Sequence, residues 1–118
     1  MRGGRDPLDG IAPTPPTDQY VPVVRSGARL FVAGHDPERD GRIVYRGHAG
    51  QSPSTADIAP ALRLATANAL ASARAFRGSL DHLRCAVLVA FVAHAMPDGL
   101  DAALLNGSLA LLADALPH

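Results

Sequence analysis

The sequence predicts a single α+β domain in which two helices pack on one face of a mainly antiparallel sheet. Three observations carry that expectation. Short valine-rich runs flank turn residues in the first half, and one long alanine-rich run repeats its apolar residues at helical steps. The elements follow one another in the order β-β-β-α-β-α, which places helices on a sheet rather than strands alone. A chain of 118 residues has room for one domain and can bury about two-thirds of its unfolded surface.

Residues 1–19 read as an N-terminal arm. Pro7, Pro13, Pro15 and Pro16 with Gly3, Gly4 and Gly10 forbid regular structure there, leaving a docked strap or a disordered tail as the alternatives. The domain proper is expected over 20–118. Val21–Arg25 and Arg29–Ala33 read as two strands around a tight turn at Ser26-Gly27, and Pro22, which cannot donate to a ladder, puts the first at an edge. A polar loop from His35 ends in Asp40-Gly41, a strong turn signal, and Arg42–Arg46 reads as a third strand.

The strongest helix follows. Ser54 or Thr55 can cap it, Pro60 is tolerable in a first turn, and Gly78 stops it. Ile58, Leu62, Ala65, Ala69, Ala73 and Phe76 form its apolar face, on which Leu62 and Phe76 are the expected anchors. Leu83–Val92 is a near-continuous apolar run, as in a strand buried on both faces. Met96-Pro97-Asp98-Gly99 breaks it, and a second helix is expected from Leu100 or Leu104 to Leu116, with Asn106-Gly107 weakening its start. One helix layer covers one face of such a strand, so other copies of the chain are expected to cover the second.

Composition narrows the chemistry. Net charge is zero, with 11 basic and 11 acidic residues, which argues against capture of nucleic acid by clustered positive charge. Every basic residue is an arginine, so lysine Schiff-base catalysis is closed. Cys85 stands alone, excluding an internal disulfide; a small buried thiol is its expected role, and its three-residue spacing from His82 is wrong for partners on one strand face. The five histidines form no HxH, HExxH or similar pair, so no metal is expected. The chain opens without the apolar stretch of a secretory signal and has no apolar run near the ~20 residues that span a bilayer, so a cytoplasmic protein without membrane partners is expected. From the residues alone, no catalytic constellation emerges.

A resemblance adds to this. Tyr20-Val21-Pro22-Val23-Val24-Arg25-Ser26-Gly27, Leu30-Phe31-Val32-Ala33-Gly34-His35, Asp40-Gly41, Gly47-His48-Ala49-Gly50, Ala67-Asn68-Ala69-Leu70, Gly78-Ser79-Leu80-Asp81, Phe91-Val92 and Leu105-Asn106-Gly107-Ser108 together resemble the Rid family, also called YjgF or L-PSP endoribonuclease-like, and in particular its longer-armed branch. The resemblance implies a chorismate mutase-like subunit, homotrimers with ligand clefts between subunits, and hydrolysis of 2-imino and 2-enamino acids to 2-keto acids and ammonia without metal or organic cofactor. It places Tyr20, Gly34 and Asn106 in the cleft. Ala33 stands where the family has a serine and His35 where it has a glutamine.

The family continues past the position of Pro117-His118 into strands bearing a carboxylate-binding arginine and an acidic residue, and neither has a counterpart in this sequence. Without a charged anchor, a small imino acid loses its orientation, and without the acid, water loses its base. The implied activity is therefore an impaired imine deaminase, with His35 the one candidate to replace the missing proton carrier. The alternatives are a non-catalytic trimeric ligand-binding or interaction module, or a fragment completed by a partner; ribonuclease activity sits poorly with the charge.

Overall fold

A computed structural model describes residues 6–44, 55–85, 88–89 and 101–117 of the chain. The elements are β1 (Val23–Ser26), β2 (Arg29–Val32), β3 (Glu38–Arg39), β4 (Arg42–Ile43), α1 (Thr55–Arg77) and α2 (Asp101–Ala115). The class is α+β, with antiparallel strand pairs and two helices.

The strands form two separate hairpins. β1 and β2 pair from Val23↔Val32 to Ser26↔Arg29, and Gly27, at φ 58°, takes the left-handed first position of their two-residue turn. Ala33 N–H donates to the Pro22 carbonyl, extending the pairing beyond β1, where proline contributes only an acceptor. The loop from His35 holds more structure than its polar composition suggests. Glu38 pairs with Ile43 and Arg39 with Arg42 around Asp40-Gly41, whose φ angles of 55° and 80° are those of a type I′ turn. The third strand is found over Arg42–Ile43; Tyr45 and Arg46 lie outside the described residues.

Helix α1 runs from Thr55 to Arg77, and capping by Ser54 lies outside the described residues. Pro60 is its sixth residue, in the second turn rather than the first, so the Ala56 carbonyl loses its usual partner. The helix ends as its sequence dictates. Gly78 adopts φ 90° and its N–H returns to the Arg74 carbonyl at 2.7 Å, the single bond of a left-handed cap.

Helix α2 passes through Asn106-Gly107 without a break. Gly107 lies beside the aliphatic stem of Arg63, and Thr66 Oγ1 bonds Ser108 Oγ at 2.9 Å within the buried seam between the helices. Packing at this seam offsets the low helical propensity of the pair. Among the described residues, α2 packs on α1, and α1 alone touches the strands.

The core is Leu8, Ala67, Leu70, Ala73, Leu80, Leu111, Ala115 and Leu116. Alanines at the helix seam let the backbones approach, and leucines fill the space between them. Leu8 is 1% exposed, so this part of the arm is docked. Asp6 Oδ1 accepts the Leu8 N–H, Asp6 Oδ2 pairs with Arg74 at 2.8 Å, and Thr14 N–H donates to Ser72 Oγ.

Three expectations are corrected. Phe76 is 51% exposed and anchors nothing, because the core partners gather around Ala67, Leu70 and Ala73, short of it; Leu62 is half-buried. Cys85 is exposed rather than buried. Of the strand expected at 83–92, residues 83–85, 88 and 89 are described and none is a strand. Leu83 N–H instead closes a turn onto Leu80, with His82 at φ 69°, and Val89 is 62% exposed. The rest of that segment and Met96–Gly99 lie outside the described residues.

Candidate functional site

The four residues expected from the N-terminal half come together. A tight turn, in which Thr17 and Tyr20 exchange backbone hydrogen bonds, delivers Tyr20 to the end of the first hairpin. Its hydroxyl donates to the Gly34 carbonyl at 2.8 Å, and its ring meets that of His35 edge to face, 6.2 Å between centroids at 68°. Burial is the main cause holding the phenol protonated above its ordinary value of 10.0, and the charges of Asp36 and Glu38 add to it.

Both nitrogens of His35 are engaged. Nδ1 lies 2.7 Å from the Ala33 carbonyl, which can only accept, so Nδ1 carries the proton. In the neutral ring Nε2 is then an acceptor, and Ser72 Oγ, at 2.9 Å, donates to it. The same Ser72 oxygen receives Thr14 N–H at 3.2 Å. One chain of hydrogen bonds therefore ties the arm, α1 and the loop after β2. It leaves the imidazole without a free lone pair to deprotonate water, which weighs against His35 as the replacement proton carrier.

Asn106 does not join them. It is exposed on α2, beside the Gly107 carbonyl that faces Arg63 Nη1 at 3.5 Å, and among the described residues it makes no hydrogen bond to Tyr20, Gly34 or His35. Two residues of α1 that composition did not single out join instead. Ser72 is 3% exposed and Asn68 6%. Asn68 Nδ2 donates to the carbonyls of Asp36 and Glu38, both at 2.8 Å, and so clamps the turn after His35 onto the helix. The available signal was the recurrence of small polar side chains, Thr66, Asn68 and Ser72, within a run that is otherwise alanine and leucine.

A concavity lies elsewhere among the described residues. It has a volume of about 480 Å³ and runs between Arg84, Leu88 and the α2 residues Leu109, Leu112 and Leu116. Its polar lining is Arg84 and Cys85, the rest being apolar, and we weigh it below the Tyr20–His35 surface as a site of chemistry. Among the described residues no group of three or more His, Cys, Asp or Glu is placed to hold a metal ion, and no helix is long and apolar enough to cross a membrane.

No protein-family model matches the chain, and no curated protein matches it significantly. Solved structures do. A protein of unknown function from Agrobacterium tumefaciens superposes with a TM-score of 0.62 at 25% identity, covering 85% of this chain and 65% of its own. A protein of Shewanella oneidensis MR-1, provisionally called an endoribonuclease, superposes with a TM-score of 0.59 at 22% identity, covering 92% of this chain and 71% of its own. This chain thus spans just under two-thirds of the first of these proteins. What the likenesses carry is the fold, an α+β arrangement comparable to theirs.

Proposed function

We propose that the chain is a Rid-like domain that binds a small ligand at the surface formed by Tyr20, Gly34 and His35, with hydrolysis of 2-imino and 2-enamino acids weak or lost. The observation that carries this reading is the engagement of both His35 nitrogens, 2.7 Å from the Ala33 carbonyl and 2.9 Å from Ser72 Oγ. A site whose one imidazole is committed to holding the fold can shape a binding surface, but it supplies no base for water. The endoribonuclease name of one structural neighbour finds little support in a chain of zero net charge with 4% aromatic residues.

In this reading the surface is one wall of a cleft that a second copy completes, most simply within a homotrimer. Val24 and Phe31 stand opposite each other in the hairpin and are 52% and 57% exposed, an apolar pair that needs a cover. Light scattering at micromolar concentration checks the assembly, and a folded monomer would remove the second wall.

The chemical test generates 2-iminobutyrate in situ with an amino-acid oxidase and follows its decay. No acceleration above the uncatalysed rate is expected. Acceleration that Tyr20→Phe abolishes would replace a binding module with an active deaminase.

A further inference from the structure

Thr14 is the point at which the arm reaches the candidate site. Pro13, Pro15 and Pro16 carry no N–H, so between Ile11 and Thr17 the arm has only the donors of Ala12 and Thr14. The Thr14 N–H goes to Ser72 Oγ at 3.2 Å. The strap is held on both sides of that bond. On one side Leu8 is buried in the core, Ile11 packs against the same core and Asp6 pairs with Arg74; on the other the Thr17–Tyr20 turn leads into the first hairpin.

A serine hydroxyl has one proton to give and two lone pairs to offer. With the arm docked, the Thr14 N–H takes a lone pair of Ser72, and Ser72 is only 3% exposed. Among the described residues the acceptor that its proton meets is His35 Nε2, 2.9 Å away. A helix offers such a hydroxyl one more acceptor, the carbonyl four residues back. Thr66 uses it, donating to the Leu62 carbonyl at 2.8 Å, whereas the proton of Ser72 is turned to the ring. Once the arm leaves, Ser72 meets water, and both water and the Asn68 carbonyl compete with the ring for that proton.

We propose that the arm is a latch on His35. Docked, it holds the Ser72 hydroxyl on Nε2 and keeps that lone pair from water or ligand. Released, it returns the lone pair to the surface as a base and nucleophile. The inference rests on the engagement of His35 that carries the proposed function, and it adds what sustains that engagement.

The test reads the lone pair directly, on the whole chain. Diethyl pyrocarbonate transfers an ethoxycarbonyl group to a ring nitrogen whose lone pair is free, releasing carbon dioxide and ethanol. The reaction is run at mildly alkaline pH, where a free imidazole is neutral, and followed at each histidine by peptide mass spectrometry. His82, exposed in the turn after α1, is the internal reference. The expected result is that His35 reacts several-fold more slowly than His82 in the unaltered chain. Ser72→Ala, which removes the blocking proton, and Leu8→Ala, which undocks the arm, should each raise the His35 rate several-fold. Asp6→Asn, which loosens the arm without touching the core, should raise it less. Circular dichroism reports whether the fold is kept, and if Leu8→Ala loses it, Asp6→Asn decides. Release by Ser72→Ala alone overturns the latch and leaves the proposed function standing, because Ser72 then blocks the ring without the arm. Release by the arm variants but not by Ser72→Ala also overturns it, because the arm then shields the ring by bulk. Protection of His35 in every variant overturns it as well. If His35 reacts as fast as His82 in the unaltered chain, the engagement itself falls, and with it both the proposed function and the latch.

Discussion

Ser72 donates its hydroxyl to Nε2 of His35 across 2.9 Å, and the same oxygen accepts the backbone N–H of Thr14. A single side chain in the middle of α1 thus serves two segments far from it in sequence.

Removing that oxygen leaves two polar groups without partners. Ser72→Ala should destabilise the protein by about 1–3 kcal/mol, the cost of stranding part-buried donors and acceptors rather than of losing a methyl-sized volume. Urea unfolding measures it. A shift within error would mean that water replaces Ser72 freely and that the arm is not fastened at Thr14.

Leu8, from the arm, should matter more to stability than Phe76, from the apolar face that helical periodicity gives α1. Leu8→Ala removes a side chain 1% exposed in the core and should cost about 2–5 kcal/mol. Phe76→Ala, at a residue 51% exposed, should stay within about 0.5 kcal/mol if Phe76 has no cover in the assembled protein. A large loss at Phe76 would show that another copy of the chain buries it.

The arm should loosen in acid. The Leu8 N–H first, and the Arg74 guanidinium second, hold the Asp6 carboxyl below its ordinary value of 3.8. A depressed carboxyl stabilises the fold above the unfolded value, and this contribution disappears as pH falls through the folded one. With both partners half-exposed the gain is under about 1 kcal/mol. Limited proteolysis of the arm should therefore accelerate below pH 3.8, and Asp6→Asn should make the rate at neutral pH resemble that of the acid form.

At the other end of the scale, Tyr20 should ionise above 10.0 in an ultraviolet titration. Its raised value means that the contribution to stability is full below pH 10.0 and is lost as pH rises through the folded value. Asp36→Asn with Glu38→Gln should lower the midpoint only partly, because burial is the larger cause. Tyr20→Phe should remove its share of the absorbance change and leave the part due to Tyr45, the other tyrosine of the chain.

Gly78→Ala tests the end of α1. Nothing lies within 4 Å of the Cβ it would add, so any loss comes from the φ of 90° alone. A cost of about 1–2 kcal/mol is expected for a left-handed alanine.

Where structure depends on neighbours in sequence, the sequence alone determined it. The Asp40-Gly41 turn, the hairpin around Gly27 and the span of α1 up to Gly78 follow from φ preferences and helical spacing, which act within a few residues. The juxtaposition of Tyr20, Gly34 and His35 was legible only through resemblance to a family, because no local rule brings a turn residue to a loop after β2. Tertiary packing decided the rest. It buried Leu8 from an arm whose prolines say only that it is irregular, and left Phe76 outside because the leucines of α2 gather one turn earlier. It also gave Ser72 and Asn68 their partners in segments more than 30 residues away. A small polar residue in an alanine-rich helix looks like a tolerated substitution in sequence. Once the helix is covered, its hydrogen bonds must be met inside the protein, and the chain brought to meet them carries the candidate site.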